Sequence, residues 1–315
     1  MTPVGCGHGG TVAVTGASGF IGRYLCQDLD AAGYRPLRLG RGRPQAEADR
    51  RTDYTRASLA EALQGADAVV HLAGRRMTRE DDPGDIAAFM GPNVTVIDDL
   101  VAAATEAGVH RIVLASSIAV YGPDPMPPCA EDAATDPVTA YARSKLMAEA
   151  RLQRLTRAGG PSCMALRLAA VYGHGEKGTP ALMRFVQQAM AGETIVLTGH
   201  PGTRIDQIYV RDATAAILAA LRHPEATGIC NIGGGTALPV RRIAEEVAMI
   251  FGHAGDLIDR TDAAAPMQGR AMSLERAARV LRWSPAHDLR AGLQDMRKVM
   301  LACGAFVERD MACQR

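Results

Sequence analysis

The feature that most constrains the fold of this chain is an alternation of short apolar runs with longer amphipathic segments through its first half. Strands that alternate with helices in this way form a parallel sheet with helices on both faces. We therefore predict an α/β fold with a doubly wound parallel sheet, whose ligand site lies beyond the carboxyl ends of the strands. The predicted strands are Thr11–Thr15, Pro36–Leu39, Ala68–Leu72, Arg111–Ser116 and Ser162–Leu168, and the predicted helices run from Phe20 to Ala32, Ser58 to Gln64 and Asn93 to Ala107.

A glycine-rich stretch, T-G-A-S-G-F-I-G, follows the first predicted strand and opens the first predicted helix. Gly16 permits a tight turn, Gly19 lets the backbone approach a pyrophosphate, and Gly22 permits close packing of the helix on the strand. The amide groups at the start of the helix then face the anion. Because the strand and helix context separates a dinucleotide fingerprint from a chance glycine cluster, we predict a dinucleotide site here.

A second motif, Tyr141-Ala-Arg-Ser-Lys145, places a tyrosine and a lysine about one helical turn apart. Side chains at this spacing share a helix face, so their polar ends can meet the same ligand. Tyrosine ordinarily releases its proton at about pH 10, and nearby positive charge stabilises the phenolate. The motif alone is a weak signal, but together with the glycine-rich stretch and Ser117 it predicts a nicotinamide-dependent enzyme in which Tyr141 exchanges protons.

These segments resemble the extended short-chain dehydrogenase/reductase family, in particular its NAD-dependent epimerase/dehydratase type, which modifies nucleotide sugars. Thr15–Gly22 matches the family pattern T-G-x-x-G-[FY]-[IL]-G in full, and His71-Leu72-Ala73-Gly74 resembles its H-x-A-[AG] stretch. Tyr209-Val210-x-Asp212 resembles its Y-V-x-D segment. The resemblance covers nearly the whole chain and implies a Rossmann-type doubly wound parallel sheet with a smaller α+β C-terminal substrate lobe.

The resemblance also implies which residues bind the cofactor. It places Asp53 and Tyr54 beside the adenine and gives Asn93 the position of the asparagine that opens a helix. The implied cofactor-binding residues are Gly16, Ser18, Gly19, Phe20, Ile21, Gly22, Asp53, Tyr54, Leu72, Ala73, Gly74, Asn93, Tyr141 and Lys145.

The end of the second predicted strand departs from the pattern of NAD-preferring members. Those members usually end this strand with an aspartate that accepts hydrogen bonds from the adenosine ribose, whereas this chain has Gly40 and then Arg41, with Arg43 close behind. Arginine pairs with phosphate through bidentate, charge-assisted hydrogen bonds, so the change favours a 2′-phosphate. We predict NADP in preference to NAD, with Arg41 and Arg43 as further cofactor-binding residues.

By the same resemblance, the catalytic residues are Ser117, Tyr141 and Lys145. Tyr141 takes a proton from a sugar hydroxyl as hydride leaves its carbon for the nicotinamide, or returns one in the reverse direction. Lys145 also binds the nicotinamide ribose. Ser117, three residues before Val120-Tyr121-Gly122, matches the family's catalytic serine, and Ser116 is the alternative.

The residues after Ser117 narrow the reaction. The 4,6-dehydratases of the family carry an Asp-Glu pair directly after the catalytic hydroxyl, whereas this chain has Ile118-Ala119. We therefore predict an epimerase that acts on a nucleotide-diphosphate sugar, at C4, with an NADPH-dependent 4-keto-sugar reductase as the alternative. A non-catalytic NADP-binding redox sensor is disfavoured, because such proteins lose the tyrosine and the lysine.

Two arginines are implied to bind the substrate. Arg204 matches the family's arginine that contacts the sugar-nucleotide diphosphate, and Arg270 is a second candidate. Ala170 stands where nucleotide-sugar epimerases often have an asparagine, which weakens transfer of their usual UDP contacts. The predicted substrate-binding residues are Ser116, Ser117, Arg204 and Arg270.

The regular alternation ends after Leu168, which indicates a change of domain. We predict that residues 1–168, with 200–232 returning to them, form a dinucleotide-binding domain, and that residues 169–199 and 233–315 form a substrate-binding lobe. The polar segment Gly74–Pro92 is predicted to be a surface loop, with a lid over the substrate as the alternative. Further strands are predicted at Ile205–Val210 and Gly228–Ile232, and helices at Val240–Phe251 and Leu274–Leu281.

The composition of the chain excludes several classes of binding partner. A net charge of +1 provides no broad positive field, and no stretch approaches the length of a membrane span, so neither nucleic acid nor a membrane is an expected partner. The N-terminus lacks an export pattern, which indicates a cytoplasmic enzyme. The seven cysteines, from Cys6 to Cys313, contain no C-x-x-C pair, so we predict no metal site. The family resemblance further implies a homodimer.

Overall fold

The computed structural model describes residues 9–78, 80–123, 128–157, 160–177, 181–265, 267 and 269–304, so Cys6 and Cys313 lie outside the described residues. The strands are β1 (Thr11–Thr15), β2 (Arg35–Gly40), β3 (Asp49–Arg51), β4 (Ala68–His71), β5 (Arg111–Ser117), β6 (Ser162–Leu168), β7 (Ala170–Tyr172), β8 (Ile195–Gly199), β9 (Arg204–Tyr209), β10 (Gly228–Ile232), β11 (Ala237–Pro239), β12 (Leu257–Thr261) and β13 (Gly269–Arg270). The α-helices are α1 (Phe20–Ala31), α2 (Arg56–Ala62), α3 (Ala87–Phe89), α4 (Val96–Glu106), α5 (Ala140–Arg157), α6 (Ala181–Ala191), α7 (Val210–Arg222), α8 (Val240–Ile250), α9 (Glu275–Val280) and α10 (Leu289–Ala302).

The main sheet is parallel and has seven strands in the order β10-β6-β5-β4-β1-β2-β3. β1 pairs with β2 on one side and with β4 on the other, so the strand order reverses between β1 and β4. In a sheet of this kind, a crevice opens at the carboxyl ends of the strands where the order reverses. The predicted doubly wound parallel sheet is confirmed.

The two faces of β1 bury different side chains, because successive residues of a strand point to opposite faces. Val12 and Val14 lie in one apolar cluster with Leu25 of α1 and Ile217 of α7. Ala13 lies in the second cluster, with residues of α2, α4 and α5. Burial on both faces explains why this strand is a continuous apolar run in the sequence.

The predicted helix from Asn93 to Ala107 begins differently in the structure. A π-helical segment, Met90–Thr95, joins α3 to α4. Pro92 lies inside this segment, and proline has no N–H to donate to the preceding turn of an α-helix. The wider turn of the π-helix therefore accommodates the proline near the start of the helix. Asn93 lies in the same segment and is buried.

The second half of the chain forms smaller sheets. β9 pairs with β7, β11 and β13, and β8 pairs with β12. A third apolar cluster contains residues of α6, α8 and α10. β10 returns to the main sheet beside β6, so residues 200–232 contribute strands to two sheets. The predicted domain boundaries stay a prediction.

Candidate active site

A cavity of about 590 Å³ lies at the carboxyl edge of the main sheet. It brings together the glycine-rich turn, the residues after β4, the end of β5 and one face of α5. The sequence-predicted residues that line it are Gly16, Ser18, Gly19, Phe20, Ile21, Gly22, Leu72, Ala73, Gly74, Ser116, Ser117, Tyr141 and Lys145. The sequence-predicted residues outside its lining are Arg41, Arg43, Asp53, Tyr54, Asn93, Arg204 and Arg270.

The glycine-rich turn is as tight as its sequence predicts. Gly16 has a φ of +69°, in the left-handed region that favours glycine, and a Cβ there would lie 2.8 Å from the backbone nitrogen of Ala73. A Cβ on Gly22 would lie 2.3 Å from the carbonyl oxygen of Gly16. The turn therefore packs against both the residues that follow β4 and the start of α1, and Gly16, Gly19 and Gly22 line the cavity.

Thr15 and His71 tie the ends of β1 and β4 together beneath the cavity. The Thr15 Oγ1 atom lies 2.9 Å from His71 Nδ1 and accepts a hydrogen bond from the Ala73 amide at 3.2 Å. Burial, helped by the positive charge of Lys145, lowers the pKa of His71 to about 3. His71 is therefore a neutral structural residue at physiological pH.

Asn93 fixes the loop that follows β4. Its Oδ1 accepts a hydrogen bond from the Arg75 amide at 2.7 Å, and its Nδ2 donates to the Arg75 carbonyl at 3.0 Å and to Ser144 Oγ at 2.9 Å. A Cβ on Gly74 would lie 2.9 Å from the same Oδ1. Asn93 thus joins the loop to α5 from outside the cavity lining.

Tyr141 and Lys145 lie side by side on the face of α5 that borders the cavity. The Lys145 ammonium donates to the Ala115 carbonyl at 2.9 Å and lies 5.9 Å from the centre of the Tyr141 ring. Phe89 packs against the Tyr141 ring at a centroid distance of 6.3 Å. The Tyr141 hydroxyl makes no hydrogen bond to any residue that the structure describes, so it is available to a ligand in the cavity.

The two serines at the end of β5 have different partners. Ser117 caps a short 3₁₀ turn, Ile118–Tyr121, and its Oγ accepts a hydrogen bond from the Ala119 amide at 3.2 Å. Its own proton remains available to a ligand. The hydroxyl of Ser116, which is buried, donates to Glu149. Ser117 is therefore the better placed of the two to contact a substrate oxygen.

An ion pair that sequence reasoning missed lies beside the cavity. Arg76, in the loop after β4, donates to Glu176 at 2.8 Å, and both residues line the cavity with Arg75. The Glu176 side chain is only 3% exposed. The sequence does not single out Glu176, because nothing in its local pattern indicates that it faces a loop 100 residues away.

Beside Gly16, Arg41 and Tyr54 form a second contact. The Arg41 guanidinium lies 5.4 Å from the centre of the Tyr54 ring. Burial raises the pKa of the Tyr54 phenol, while its hydrogen bond with the Gly16 backbone and the charge of Arg41 act in the opposite direction. Arg43 is exposed in the loop that follows. The pair lies where β2 ends, at the same edge of the sheet as the glycine-rich turn.

Asp53, which the resemblance places beside the adenine, is bound within its own turn. Its Oδ1 accepts hydrogen bonds from the Thr55 amide at 2.9 Å and the Thr55 hydroxyl at 2.7 Å. These bonds, above all the one from the Thr55 amide, hold the pKa of the Asp53 carboxyl below its usual range. The carboxylate helps to form the start of α2 and is exposed.

The two predicted substrate arginines lie on neighbouring strands. Arg204 pairs in register with Gly269, and Arg270 pairs with Ile205. Because alternate residues of a strand face opposite sides, the two arginine side chains leave opposite faces of this ladder. Arg204 donates to the Ala237 carbonyl at 3.1 Å, and Arg270 Nε is buried with no hydrogen-bond partner among the described residues.

The sequence matches a family model described as the NAD dependent epimerase/dehydratase family over residues 12–233. The chain belongs to this family. The UDP-glucose 4-epimerase of Mycolicibacterium smegmatis is 28% identical to this family member over 89% of this chain and 95% of its own length. The dTDP-6-deoxy-L-talose 4-dehydrogenase (NAD(P)(+)) of Kitasatospora kifunensis is 28% identical, over 90% of this chain and 94% of its own.

The chain is also similar to a solved structure. The UDP-N-acetylglucosamine 4-epimerase from Bacillus cereus superposes with a TM-score of 0.84 at 29% identity, covering 93% of this chain and 96% of that chain. This member of the NAD dependent epimerase/dehydratase family is therefore an enzyme of the extended short-chain dehydrogenase/reductase type, and its cofactor is a nicotinamide dinucleotide. The glycine-rich turn fits that cofactor, because side chains at Gly16 or Gly22 would collide with backbone.

None of the helices in the described ranges combines the length and the apolar character that a bilayer crossing requires. Among the same residues, no three histidine, cysteine, aspartate or glutamate side chains are grouped to hold a metal ion.

Proposed function

We propose that this enzyme epimerises a nucleotide-diphosphate sugar at C4 through a transient keto sugar. The observation that carries the proposal is the grouping of the Tyr141 hydroxyl, the Lys145 ammonium and the Ser117 hydroxyl around the cavity that the glycine-rich turn also lines. The relatives named as 4-epimerases support the choice of reaction. The homodimer and the cytoplasmic location stay predictions from the sequence.

Each of the three side chains has a distinct task in this proposal. Tyr141 accepts the proton of the sugar hydroxyl and later returns it, and Ser117 donates a hydrogen bond to the same sugar oxygen. Lys145, fixed by the Ala115 carbonyl, places its positive charge beside the Tyr141 ring and binds the nicotinamide ribose. When bound, the nicotinamide supplies a hydride acceptor and donor.

A 4-keto-sugar reductase that uses NADPH is the second candidate. Two observations favour it: Arg41 stands at the end of β2 in place of a carboxylate, and one relative is named a 4-dehydrogenase. Both reactions use the same tyrosine, lysine and serine, so the site geometry supports them equally.

The two candidates predict different cofactor use. An epimerase recovers its cofactor in every turnover, so the purified enzyme should convert UDP-glucose with no cofactor added and with no net absorbance change at about 340 nm. Product formation is measured by chromatography of the nucleotide sugars. Consumption of NADPH in equal amount with product, from a 4-keto sugar nucleotide, would instead establish the reductase.

We further propose that the enzyme prefers NADP. The Arg41→Ala variant should bind NADP about 10- to 100-fold more weakly, because it loses charge-assisted hydrogen bonds to the 2′-phosphate. Its Kd for NAD should stay within about twofold, since NAD lacks that phosphate. Isothermal titration calorimetry measures both constants.

The matched control is Arg35→Ala. Arg35 is exposed and begins the same strand that Arg41 follows, at the opposite edge of the sheet. Its loss should change neither constant. A wild-type enzyme that binds NAD more tightly than NADP would refute the preference.

A further inference from the structure

A buried cluster of polar side chains lies directly beneath the proposed catalytic residues. Ser116, Glu149 and Arg167 are exposed by only 4%, 1% and 2%. The Arg167 guanidinium donates to both carboxylate oxygens of Glu149, with Nε 3.0 Å from Oε1 and Nη2 2.7 Å from Oε2. The Ser116 hydroxyl donates to the same Oε1. The cluster therefore joins β5, α5 and β6 at the edge of the sheet that carries the cavity.

Glu149 continues the row of side chains that Tyr141 and Lys145 begin. The three residues are spaced four apart on α5, so they share the face that packs against β5. Lys145 holds the carbonyl of Ala115, and Glu149 holds the hydroxyl of Ser116. Helix α5 is thus hydrogen-bonded to two consecutive residues of β5, Ala115 and Ser116, and Ser117 is the next residue along the strand.

Further contacts anchor the other side of the cluster. The Arg167 guanidinium lies 4.7 Å from the centre of the Tyr121 ring, and the Tyr121 hydroxyl donates to Asn231 Oδ1 at 2.7 Å. Tyr121 ends the 3₁₀ turn that Ser117 caps. Both ends of this turn are therefore connected to Glu149, through Ser116 at one end and through Arg167 at the other.

We propose that Glu149 is a positioning residue, which acts through Ser116 to hold the Ser117 hydroxyl at a fixed place relative to Tyr141 and Lys145. An ion pair this deeply buried is costly to desolvate and is often no more stabilising than apolar side chains of the same volume. The Glu149–Arg167 ion pair lies at the edge of the sheet, and its contacts with Ser116 and Tyr121 connect it to the turn that Ser117 caps. This position indicates a role in placing Ser117, in addition to any effect on stability. The proposal rests on the proposed function, because it assumes that Ser117, Tyr141 and Lys145 act on one substrate.

A double-mutant cycle tests the coupling. Ser116→Ala removes the hydroxyl and keeps the ion pair, whereas Glu149→Asp keeps the charge for Arg167 and shortens the side chain that reaches Ser116. Each single variant should lower kcat for UDP-glucose about 10- to 100-fold with KM changed less than about twofold, since small misplacements at a reacting centre have effects of this size. Because both act on one contact, the double variant should be little worse than either single variant.

Glu246→Gln is the matched control. Glu246 is also a buried carboxylate with an arginine partner, Arg290, whose Nε lies 2.9 Å from it, but it belongs to α8 outside the cavity lining. It should lose thermal stability and keep its kcat. Effects of Ser116→Ala and Glu149→Asp that multiply in the double variant, or losses of kcat no larger than that of Glu246→Gln, would overturn the proposal.

A crystal structure of Ser116→Ala separates this proposal from the proposed function. The expected result is a displacement of Ser117 Oγ relative to Tyr141 Oη by about 1 Å, a misplacement of the size that impairs catalysis. This displacement does not depend on which substrate the enzyme uses. Unchanged positions of both atoms would refute the role of Glu149, even if epimerase activity were established, and absence of turnover on any nucleotide sugar would refute the proposed function alone.

Discussion

Replacing Tyr141 with phenylalanine should lower kcat by about 10²- to 10⁴-fold, the usual contribution of a positioned acid or base. The variant keeps the ring that packs against Phe89 and loses only the hydroxyl, which has no hydrogen-bond partner among the described residues. Its thermal stability should therefore remain close to that of the wild type, and its Kd for the nicotinamide cofactor should rise by no more than about 10-fold, the effect of losing one hydrogen bond from a cofactor-binding Tyr141. Steady-state kinetics, differential scanning calorimetry and cofactor titration measure the three quantities.

Tyr24→Phe is the control for this variant. Tyr24 also contacts an aromatic neighbour, Phe20, and its hydroxyl donates to the His174 carbonyl at 3.1 Å, outside the cavity lining. Its loss should cost about 1 kcal/mol of unfolding free energy and leave kcat within about twofold. Full activity of Tyr141→Phe would contradict the catalytic assignment for the epimerase and the reductase alike.

The second large effect is expected from Gly22→Ala. Its Cβ would lie 2.3 Å from the Gly16 carbonyl oxygen and 2.7 Å from the Ala17 Cα, and backbone atoms in a tight turn cannot move aside as the end of a side chain can. The turn must therefore shift, which should lower the unfolding free energy by about 1–3 kcal/mol. If the same turn provides the amide groups for the pyrophosphate, as the glycine-rich motif predicts, the cofactor Kd should rise by about 10- to 100-fold.

Gly91→Ala provides the comparison. Gly91 lies in the π-helical segment, is exposed, and has no atom within 4 Å of the position its Cβ would take. The substitution should leave cofactor binding unchanged in calorimetric titration. Normal cofactor binding by Gly22→Ala would show that the dinucleotide does not rest on this turn.

Local patterns predicted the fold well wherever the strands are buried on both faces. β1 is predicted and observed at Thr11–Thr15, and β6 at Ser162–Leu168, because a continuous apolar run between helices has few other structures open to it. Sequence analysis missed the short strands β7, β8 and β11, whose pairing partners lie far along the chain. Such strands form because of tertiary contacts with distant parts of the chain, and the local alternation of apolar and polar residues does not predict them.

The candidate site also combines features that the local sequence predicts with features that depend on distant contacts. The glycine-rich turn and the Tyr141 to Lys145 spacing are local, and the structure brings them to one cavity. Glu149, Arg167 and Glu176 depend on contacts between separate elements, so their local patterns did not single them out. The spacing of Glu149 four residues after Lys145 was the one available signal, since it extends the same helix face.

The path of residues 168–237 has a consequence for how substrate preference can change within such an enzyme. The chain leaves the main sheet after β6, forms β7 to β9 elsewhere, returns for β10 and leaves again for β11. A replacement of everything after Leu168 that supplied no equivalent of β10 would leave β6 with a bare edge, the usual starting point of aggregation. An exchange of C-terminal segments aimed at a new specificity must therefore keep this strand.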